Sequence, residues 1–431
     1  MKKKIVYIGL AADILHEGHI NILKTGNKLG KVVVGLLTDT AIAQYKKVPF
    51  LDYNQRKIVL ENIKYVDEIV PQKTLDYVEN LKKFRPSFVV HGDDWKTGIQ
   101  KKTRSRVINT LKKWGGQLIE PKYTKNISST LIKSKILHSG ISPQNKISQL
   151  KRLIKVKNIV RILETHNSLN GLIIENLNIK KNSRLIEFDG MWSSSLTDSL
   201  TKGKPDNQSV DYSSRILGLN DIMDVTLKPM IFDADNGGRI EHISYLVKTL
   251  ERIGVSGMII EDKVGEKITS LFKNQDKAKQ DSIKNFCKKI KIAKNARISN
   301  DFYIIARIES FILNKSLSDA MNRAKNYIKS GANAILIHSK ERTPVQIFSF
   351  SKKFKKIYPD IPLVSVPSTY SKVKESDLIK NGFKVVIYAN HMLRSAYPSM
   401  VSTAESILKN GRSFESEKNL TPINKIINLI K

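Results

Sequence analysis

Two groups of side chains along this chain have the types and spacing to act on phosphate. The first is His16-Glu17-Gly18-His19, just after the apolar run Ile5-Val6-Tyr7-Ile8. Imidazoles three residues apart share one side of a first helical turn. Imidazole N–H groups and helix-start amides both donate to polyphosphate oxygens, where charge develops during phosphoryl transfer. Gly18 permits close backbone approach to a ligand. Taken alone, the pair is also what two surface histidines would give. The second group is Asp233, Asp235, Glu261 and Asp262, each at the expected end of a strand, with Gly237-Gly238 close by. Hard carboxylate oxygens suit Mg²⁺, which keeps several waters and takes its other ligands from substrate. The plainer reading of paired acids is a solvated loop. A chain carrying both groups is expected to be a bifunctional enzyme whose two reactions belong to one pathway.

The elements that must carry these residues fall into two series. Residues 1–137 alternate strand and helix: Ile5–Leu10, a helix from about Gly18, Val32–Leu37, a helix from about Tyr53, Glu68–Val70, Phe88–His91 and Gln117–Ile119. Apolar strands flanked by helical patterns indicate a parallel sheet covered on both faces, with ligands beyond the carboxyl ends of its strands. Residues 138–150, with Gly140 and Pro143, read as a linker running into a first helix, and residues 151–431 as a second domain. There the expected strands are Val160–Thr165, Leu185–Trp192, Pro229–Asp233, Gly257–Glu261, Tyr303–Arg307, Ala334–His338, Leu363–Val366 and Val385–Ala389. An open sheet is conceivable, but eight strand–helix units with polar strand ends favour a (β/α)8 barrel. The expected class is α/β, a Rossmann-like nucleotidyltransferase domain followed by a barrel.

Composition narrows the function classes. At 431 residues, 40% hydrophobic and 26% charged, the chain exceeds one ordinary core and reads as folded. The net charge of +34 comes from 74 Lys+Arg against 40 Asp+Glu. Nucleic acid or an anionic membrane is held by clustered Lys/Arg. Here the lysines are scattered and seldom interleaved with aromatics, so neither partner is expected, although the field would draw in phosphorylated substrates. A basic binding scaffold with inactive enzyme folds is the alternative class, and the complete His16/His19 and Asp233/Asp235/Glu261 sets speak against it. Cys287 is the single cysteine, which excludes a disulfide framework and a thiolate metal site and leaves a packing role. No apolar stretch approaches the ~20 residues of a membrane span. Met1-Lys-Lys-Lys is basic, but Ile5–Leu10 is too short for a signal sequence, so the cytoplasm is expected.

Residues 1–137 resemble the cytidylyltransferase family typified by the glycerol-3-phosphate and choline-phosphate enzymes. The resemblance lies in Gly9-Leu-Ala-Ala-Asp-Ile-Leu-His-Glu-Gly-His19, Gln55-Arg-Lys with Lys64-Tyr-Val-Asp-Glu-Ile69, His91-Gly-Asp-Asp-Trp95 and Ile127-Ser-Ser-Thr130. It implies that His16 and His19 contact the triphosphate of CTP and stabilise the transition state. It also implies that Gly9, Asp13, Lys46, Asp94 and Trp95 lie around the nucleotide, that Ser128, Ser129 and Thr130 close over phosphates, and that Mg²⁺ accompanies CTP. This chain has Tyr123-Thr-Lys-Asn126 where the family has Arg-Thr-Glu-Gly, and one extra residue between Gly9 and Asp13; both departures bear on the acceptor.

The remainder resembles phosphoenolpyruvate mutase of the isocitrate lyase superfamily. The matching segments are Trp192-Ser-Ser-Ser-Leu196, Asp206, Asp233-Ala-Asp235, Glu261-Asp-Lys-Val-Gly-Glu-Lys267 with Ser270-Leu271, Ala306-Arg-Ile-Glu-Ser310, His338-Ser-Lys340 and Tyr388-Ala-Asn-His391. By this resemblance Asp233 binds Mg²⁺ directly, with Asp235 and Glu261 acting through water. Arg307 and His338 hold the phosphoryl and carboxylate ends, and Trp192, Ser194 and Ser195 frame the pyruvyl part. Lys267, Thr269, Ser270 and Leu271 belong to a gating loop, and Asp206 supports substrate orientation. The implied reaction converts phosphoenolpyruvate to phosphonopyruvate, in a homo-oligomer that is commonly a tetramer. The lyases of the superfamily use a loop cysteine, and Glu261 to Leu271 contains none. Thr269 stands where the mutases usually carry Asn, a feature of the phosphonopyruvate hydrolases, so hydrolysis is the alternative. The pairing with a CTP-using domain favours synthesis, ending in a CMP-activated phosphonate such as CMP-2-aminoethylphosphonate.

Overall fold

Strands Ile5–Leu10 (β1) and Lys31–Leu37 (β2) are buried along nearly their whole length, so they need cover on both faces. The computed structural model describes residues 4–46, 48–96, 100–122, 124, 142–181, 184–265, 267–270, 275 and 277–430. They fall into two compact units, within Met1–Gly140 plus Ile179–Ile186 and within Ile141–Asn178 plus Glu187–Lys431. In the first, β1 and β2 join Glu68–Gln72 (β3), Phe88–Val90 (β4) and Gln117–Ile119 (β5) in a parallel sheet of order β3-β2-β1-β4-β5. Successive side chains of β1 point to opposite faces. Val6 and Ile8 pack with Leu23 and Leu60, while Tyr7 packs with Leu81, Trp95 and Val107. Because the strand order reverses at β1, between β2 and β4, a crevice opens at its carboxyl end. His16 lies there, before the helix Glu17–Leu29.

The second unit contains a closed barrel of eight parallel strands. In chain order these are Val160–Glu164 (β6), Gly190–Ser193 (β9), Met230–Asp233 (β10), Gly257–Glu261 (β11), Tyr303–Ile308 (β14), Ala334–Ile337 (β15), Leu363–Ser365 (β16) and Phe383–Tyr388 (β17). The α/β class and the eight-stranded barrel read from the sequence are thus present. One expected strand is divided: Arg184–Glu187 (β8) pairs with Asn178–Lys181 (β7) in a ribbon, and only Gly190–Ser193 enters the barrel. The break is at Asp189, whose buried carboxylate pairs with Lys157 and accepts the Arg161 amide at 2.8 Å. A further ribbon, Lys263–Val264 (β12) with Lys279–Gln280 (β13), closes the root of the loop after β11.

Helices cover the barrel because their buried positions follow helical spacing. The helix Pro143–Val156 begins inside the stretch read as linker and buries Ile147, Leu150, Leu153 and Ile154. Cys287 is half-buried against the core from Ile283–Ala296. At the site end, Phe232 of β10 is fully buried under the Arg215 guanidinium, 4.2 Å from its ring centroid. Phe232→Ala is expected to lower the stability of the barrel by about 3–5 kcal/mol, read as a fall in the urea midpoint of its unfolding transition. An unchanged midpoint would show that the aromatic layer beneath the site does not hold it.

Candidate active sites

At the carboxyl end of β1 the two histidines are brought together, with ring centroids 4.0 Å apart. His16 caps its helix by accepting the Gly18 amide on Nδ1 at 3.2 Å. A nitrogen that accepts carries no proton, so the neutral ring holds its proton on Nε2, free to donate to a ligand. His16 is lowered by burial. His19 is pushed down to about 3 by burial, His16 and Lys46, and its Nδ1 is buried without a hydrogen-bond partner. Both are neutral donors near pH 7. They line a cavity of about 390 Å³ with Gly9, Gly18, Lys46, His91, Asp94, Lys122 and Thr124. Gly9 is required there, because a Cβ would fall 2.2 Å from the Tyr77 ring.

Asp13 and Trp95, expected around the nucleotide, stand behind this cavity. Asp13 accepts the amides of Phe50 and Leu51 at 2.6 and 3.3 Å and so fixes that segment. Trp95 stacks on His91 at 3.8 Å and donates to Glu120 at 2.7 Å. Ser128, Ser129 and Thr130 lie outside the described residues.

In the barrel, Asp233 ends β10, Glu261 ends β11, Arg307 is near the end of β14, and His338 follows β15. They line one cavity with Trp192, Ser194, Ser195, Asp206, Asp235, Lys267, Thr269 and Ser270; Leu271 lies outside the described residues. Ser195 donates its hydroxyl to Asp233 Oδ2 at 3.1 Å, and the Asp235 amide donates to Asp233 Oδ1 at 3.1 Å. Lys267 forms ion pairs with Asp206 and Asp235 and donates to Ser195. Thr269 donates to the other oxygen of Asp206 at 3.0 Å. The loop therefore lies on Asp206 through two of its residues.

Burial and neighbouring charges set the ionisation. Burial raises Asp233, but Lys267, Arg307 and Arg215 outweigh it and hold the carboxyl below its usual range. Asp235 is raised by burial despite Lys267. Glu261 is pushed up to about 7 by burial, against the pull of Lys263 and Arg307. Asp262, behind the site, is raised to about 6 by burial against Arg323 and the Tyr327 hydroxyl. His338 is lowered by burial and Arg307, and is neutral near pH 7. Arg307 Nη2 and Glu309 Oε1 lie 3.1 and 3.4 Å from His338 Nδ1. His338 Nε2 and Trp192 Nε1 are buried without partners and line the same cavity. A proton on Nε2 would give a donor near Arg307 that suits an anion. The lining also holds four carboxylates, Asp206, Asp233, Asp235 and Glu261, against Lys267 and Arg307. A divalent cation would balance that excess, and an all-oxygen donor set fits Mg²⁺. Among the described residues no three His, Cys, Asp or Glu side chains form a group that could hold a metal ion, so most ligands would be water or substrate.

Three functional neighbours escaped the sequence reading as site residues. Arg215, 3% exposed, pairs with Asp198 at 2.8 Å and Asp235 at 3.7 Å and donates to the Asp233 carbonyl at 2.6 Å. It steadies a turn in which Asp235 adopts φ 49°, a strained conformation for any residue with a Cβ. Its signal was a charge on the buried face of Tyr212–Val225, in line with Leu219 and Ile222. Glu309 and Lys263 pair with Arg307 and with Ser270 of the loop; each is a buried charge two residues after Arg307 or Glu261, which was the available sign.

An acid-lined, arginine-bearing cavity lies at the carboxyl ends of the parallel barrel strands, and comparison gives the family. The model of phosphoenolpyruvate phosphomutase matches residues 150–408, and that of the cytidylyltransferase-like proteins matches residues 7–135. A phosphoenolpyruvate phosphomutase of Tetrahymena pyriformis is 32% identical over 68% of this chain and 94% of its own length. The solved structure of a phosphonopyruvate hydrolase with oxalate and Mg²⁺ has a TM-score of 0.58 at 28% identity, covering 67% of this chain and 95% of that one. For the first unit, glycerol-3-phosphate cytidylyltransferase of Bacillus subtilis strain 168 is 38% identical over 22% of this chain and 74% of its own length. The chain belongs to the phosphoenolpyruvate phosphomutase family and carries a cytidylyltransferase-like domain ahead of its barrel.

The histidine pair yields a pH prediction. His19 has a folded value of about 3 against 6.5 when unperturbed, so the unfolded chain binds the extra proton. Its contribution to stability is complete above pH 6.5 and is lost, at up to about 1.4 kcal/mol per pH unit, as pH falls toward 3. NMR of histidine-labelled protein should show His19 still neutral at pH 5. A midpoint near 6.5 would refute the buried, neutral pair.

Proposed function

We propose that the barrel interconverts phosphoenolpyruvate and 3-phosphonopyruvate, and that the N-terminal domain transfers CMP from CTP to a phosphonate or phosphate monoester such as 2-aminoethylphosphonate. The observation that carries the first reading is that His338 Nε2 and Trp192 Nε1, both buried without partners, share one cavity with Arg307 and the Asp233 cluster. In the forward direction the P–O bond of phosphoenolpyruvate breaks, the phosphoryl group moves, and a P–C bond forms at C3 of the pyruvate enolate. Such a loose transfer needs positioning and charge stabilisation more than a covalent nucleophile. Arg307 and neutral His338 would hold the phosphoryl and carboxylate oxygens, while Trp192, Ser194 and Ser195 frame the pyruvyl part. Asp233 would ligate Mg²⁺, with Asp235 and Glu261 holding its waters; the ion supplies charge neutralisation on phosphoryl and enolate oxygens. Lys267, Thr269, Ser270 and Leu271 would close the site against water, and Asp206 would anchor them.

In the first domain, neutral His16 and His19 donate to the triphosphate, and Mg²⁺ accompanies CTP. Gly9, Lys46 and Asp94 face the nucleotide, Asp13 and Trp95 support it from behind, and Ser128, Ser129 and Thr130 complete the phosphate contacts. We place domain boundaries at 1–137 and 151–431. No helix among the described residues is long and apolar enough to cross a membrane. A single cysteine suits a reducing cytoplasm. The helix His391–Asn410 buries none of its residues and exposes Tyr397, Met400 and Leu408, which supports a homo-oligomer, a tetramer in our reading.

A second reading, phosphonopyruvate hydrolysis, is favoured by Thr269, whose short side chain contacts Asp206 and leaves more room for water than Asn. A mutase coupled to CTP use gives synthesis a purpose that degradation lacks. Phosphorus NMR of the protein with phosphonopyruvate and Mg²⁺ decides the matter. A phosphoenolpyruvate signal is expected; phosphate with pyruvate would establish the hydrolase, and Thr269→Asn should then lower the hydrolysed fraction. Chelation of Mg²⁺ should abolish either product. In parallel, CTP turnover with a panel of phosphonates and phosphate monoesters identifies the acceptor. His16→Ala or His19→Ala should slow it by about 10²-fold or more if each donates to the transition state.

A further inference from the structure

We propose that Tyr212 and Lys289, together with Arg215, are positioning residues that hold the acidic turn of residues 233–238 in its metal-binding form, so that side chains outside the cavity set the barrel's affinity for a divalent cation. The inference rests on the Mg²⁺ reading above and extends it, since none of the three residues lines the cavity. Four consecutive carbonyls run through this turn, and each meets a donor. The Asp233 carbonyl accepts Arg215 Nη1 at 2.6 Å, and the Ala234 carbonyl accepts the Tyr212 hydroxyl at 2.6 Å and the Gly237 amide at 2.7 Å. The Asp235 carbonyl accepts the Glu261 amide of β11 at 2.7 Å, and the Asn236 carbonyl accepts Lys289 Nζ at 2.8 Å. Tyr212 and Arg215 are three residues apart and reach the turn from one side of the helix Tyr212–Val225. Lys289 is 6% exposed and comes from a second helix, Ile283–Ala296. It lies 3.8 Å from Asp281, farther than from the carbonyl, so its hydrogen bond goes to the turn.

A peptide group is planar, so a donor that fixes its carbonyl fixes its plane. Four held planes in a row set the backbone angles of Ala234, Asp235 and Asn236. The turn needs that hold. Asp235 has φ 49°, and Gly237 and Gly238 have φ 82° and 64°. Glycine adopts such values freely, whereas a residue with a Cβ resists them. Fewer donors on the carbonyls would let Asp235 relax toward negative φ and carry its carboxylate out of place. The same backbone aims Asp233, because the Asp235 amide donates to Asp233 Oδ1 at 3.1 Å. Packing adds a second constraint, since a Cβ on Gly238 would fall 3.2 Å from the Tyr212 ring. Tyr212 thus holds the turn at both Ala234 and Gly238. Mg²⁺ tolerates little departure from octahedral geometry, so a displaced carboxylate costs affinity. The donors from the two helices therefore act on the metal through the turn.

The test compares full-length wild type with Tyr212→Phe, Lys289→Met and Arg215→Lys. Tyr212→Phe removes one oxygen and keeps the ring, and Arg215→Lys keeps the charge but loses the fork. Electron paramagnetic resonance of free Mn²⁺, without substrate, gives the affinity, and the binding lost in Asp233→Ala belongs to the barrel. Amide hydrogen exchange of residues 233–238 in metal-free protein reports the turn, and thermal melting reports folding. Tyr212→Phe should weaken Mn²⁺ binding about two- to tenfold, the worth of one neutral hydrogen bond, and quicken exchange in the turn. Lys289→Met and Arg215→Lys, which alter charged donors, should weaken it about tenfold or more. A lower melting temperature with unchanged affinity would mean a structural role alone and overturn the proposal, as would unchanged exchange over the turn. If Lys289→Met or Arg215→Lys does not fold, Tyr212→Phe carries the comparison. A wild type that binds no more Mn²⁺ than Asp233→Ala would refute the metal reading, whereas equal binding by wild type and the folded variants would refute the positioning role alone.

Discussion

Carboxylates crowded at the ends of two adjacent strands are the constraint on which the barrel end depends. Asp233, Asp235, Glu261 and Asp262 are all less than a tenth exposed. Burying one unpaired charge costs several kcal/mol, and like charges in one place add to it. The chain answers with cations from other elements. Arg215 comes from a helix, Arg307 from β14, and Lys263 and Lys267 from the loop after β11. Arg215, Arg307 and Lys267 are raised by the acids they meet, and the acids keep their places because of the cations. Removing any one partner would leave a buried charge behind, which is why the turn at Asp235 can persist in a strained conformation.

That balance extends to the loop after β11. Its described residues make polar contacts, among them those of Lys267 and Thr269 with Asp206 and of Ser270 with Glu309. Ionic contacts of this kind can be exchanged for water and substrate oxygens, whereas a buried apolar face would make opening expensive. The Lys267 ammonium also pairs with the Asp235 carboxylate. The first unit solves a related problem with less charge. Two neutral imidazoles at a helix start give donors without repelling each other, and burial keeps them neutral.

How much of this was legible in the sequence follows from what each feature depends on. The parallel strands were readable because burial on both faces makes each a continuous apolar run, and their polar ends marked the site. Asp233, Glu261, Arg307 and His338 do share one cavity. The division of one expected strand at Asp189 was not readable, because Leu185–Trp192 is an apolar run interrupted by a carboxylate that only the fold pairs with Lys157. Asp13 and Trp95 had positions in a motif but no direction, and direction decides whether a side chain faces a ligand or the residue that faces it. Arg215, Glu309 and Lys263 were hidden for a third reason. Their roles exist only through partners from distant segments, and spacing along the chain carries no trace of those pairings.

The two readings of the barrel chemistry meet at this same network. Transfer to carbon and transfer to water begin with the same loosened phosphoryl group, and they differ in which nucleophile reaches phosphorus first. In either reading the carboxylates, Arg307 and His338 would serve equally, since charge stabilisation does not select the acceptor. Selection would then fall to the groups that admit or exclude water, and among the described residues Thr269, whose hydroxyl donates to Asp206, stands at that position.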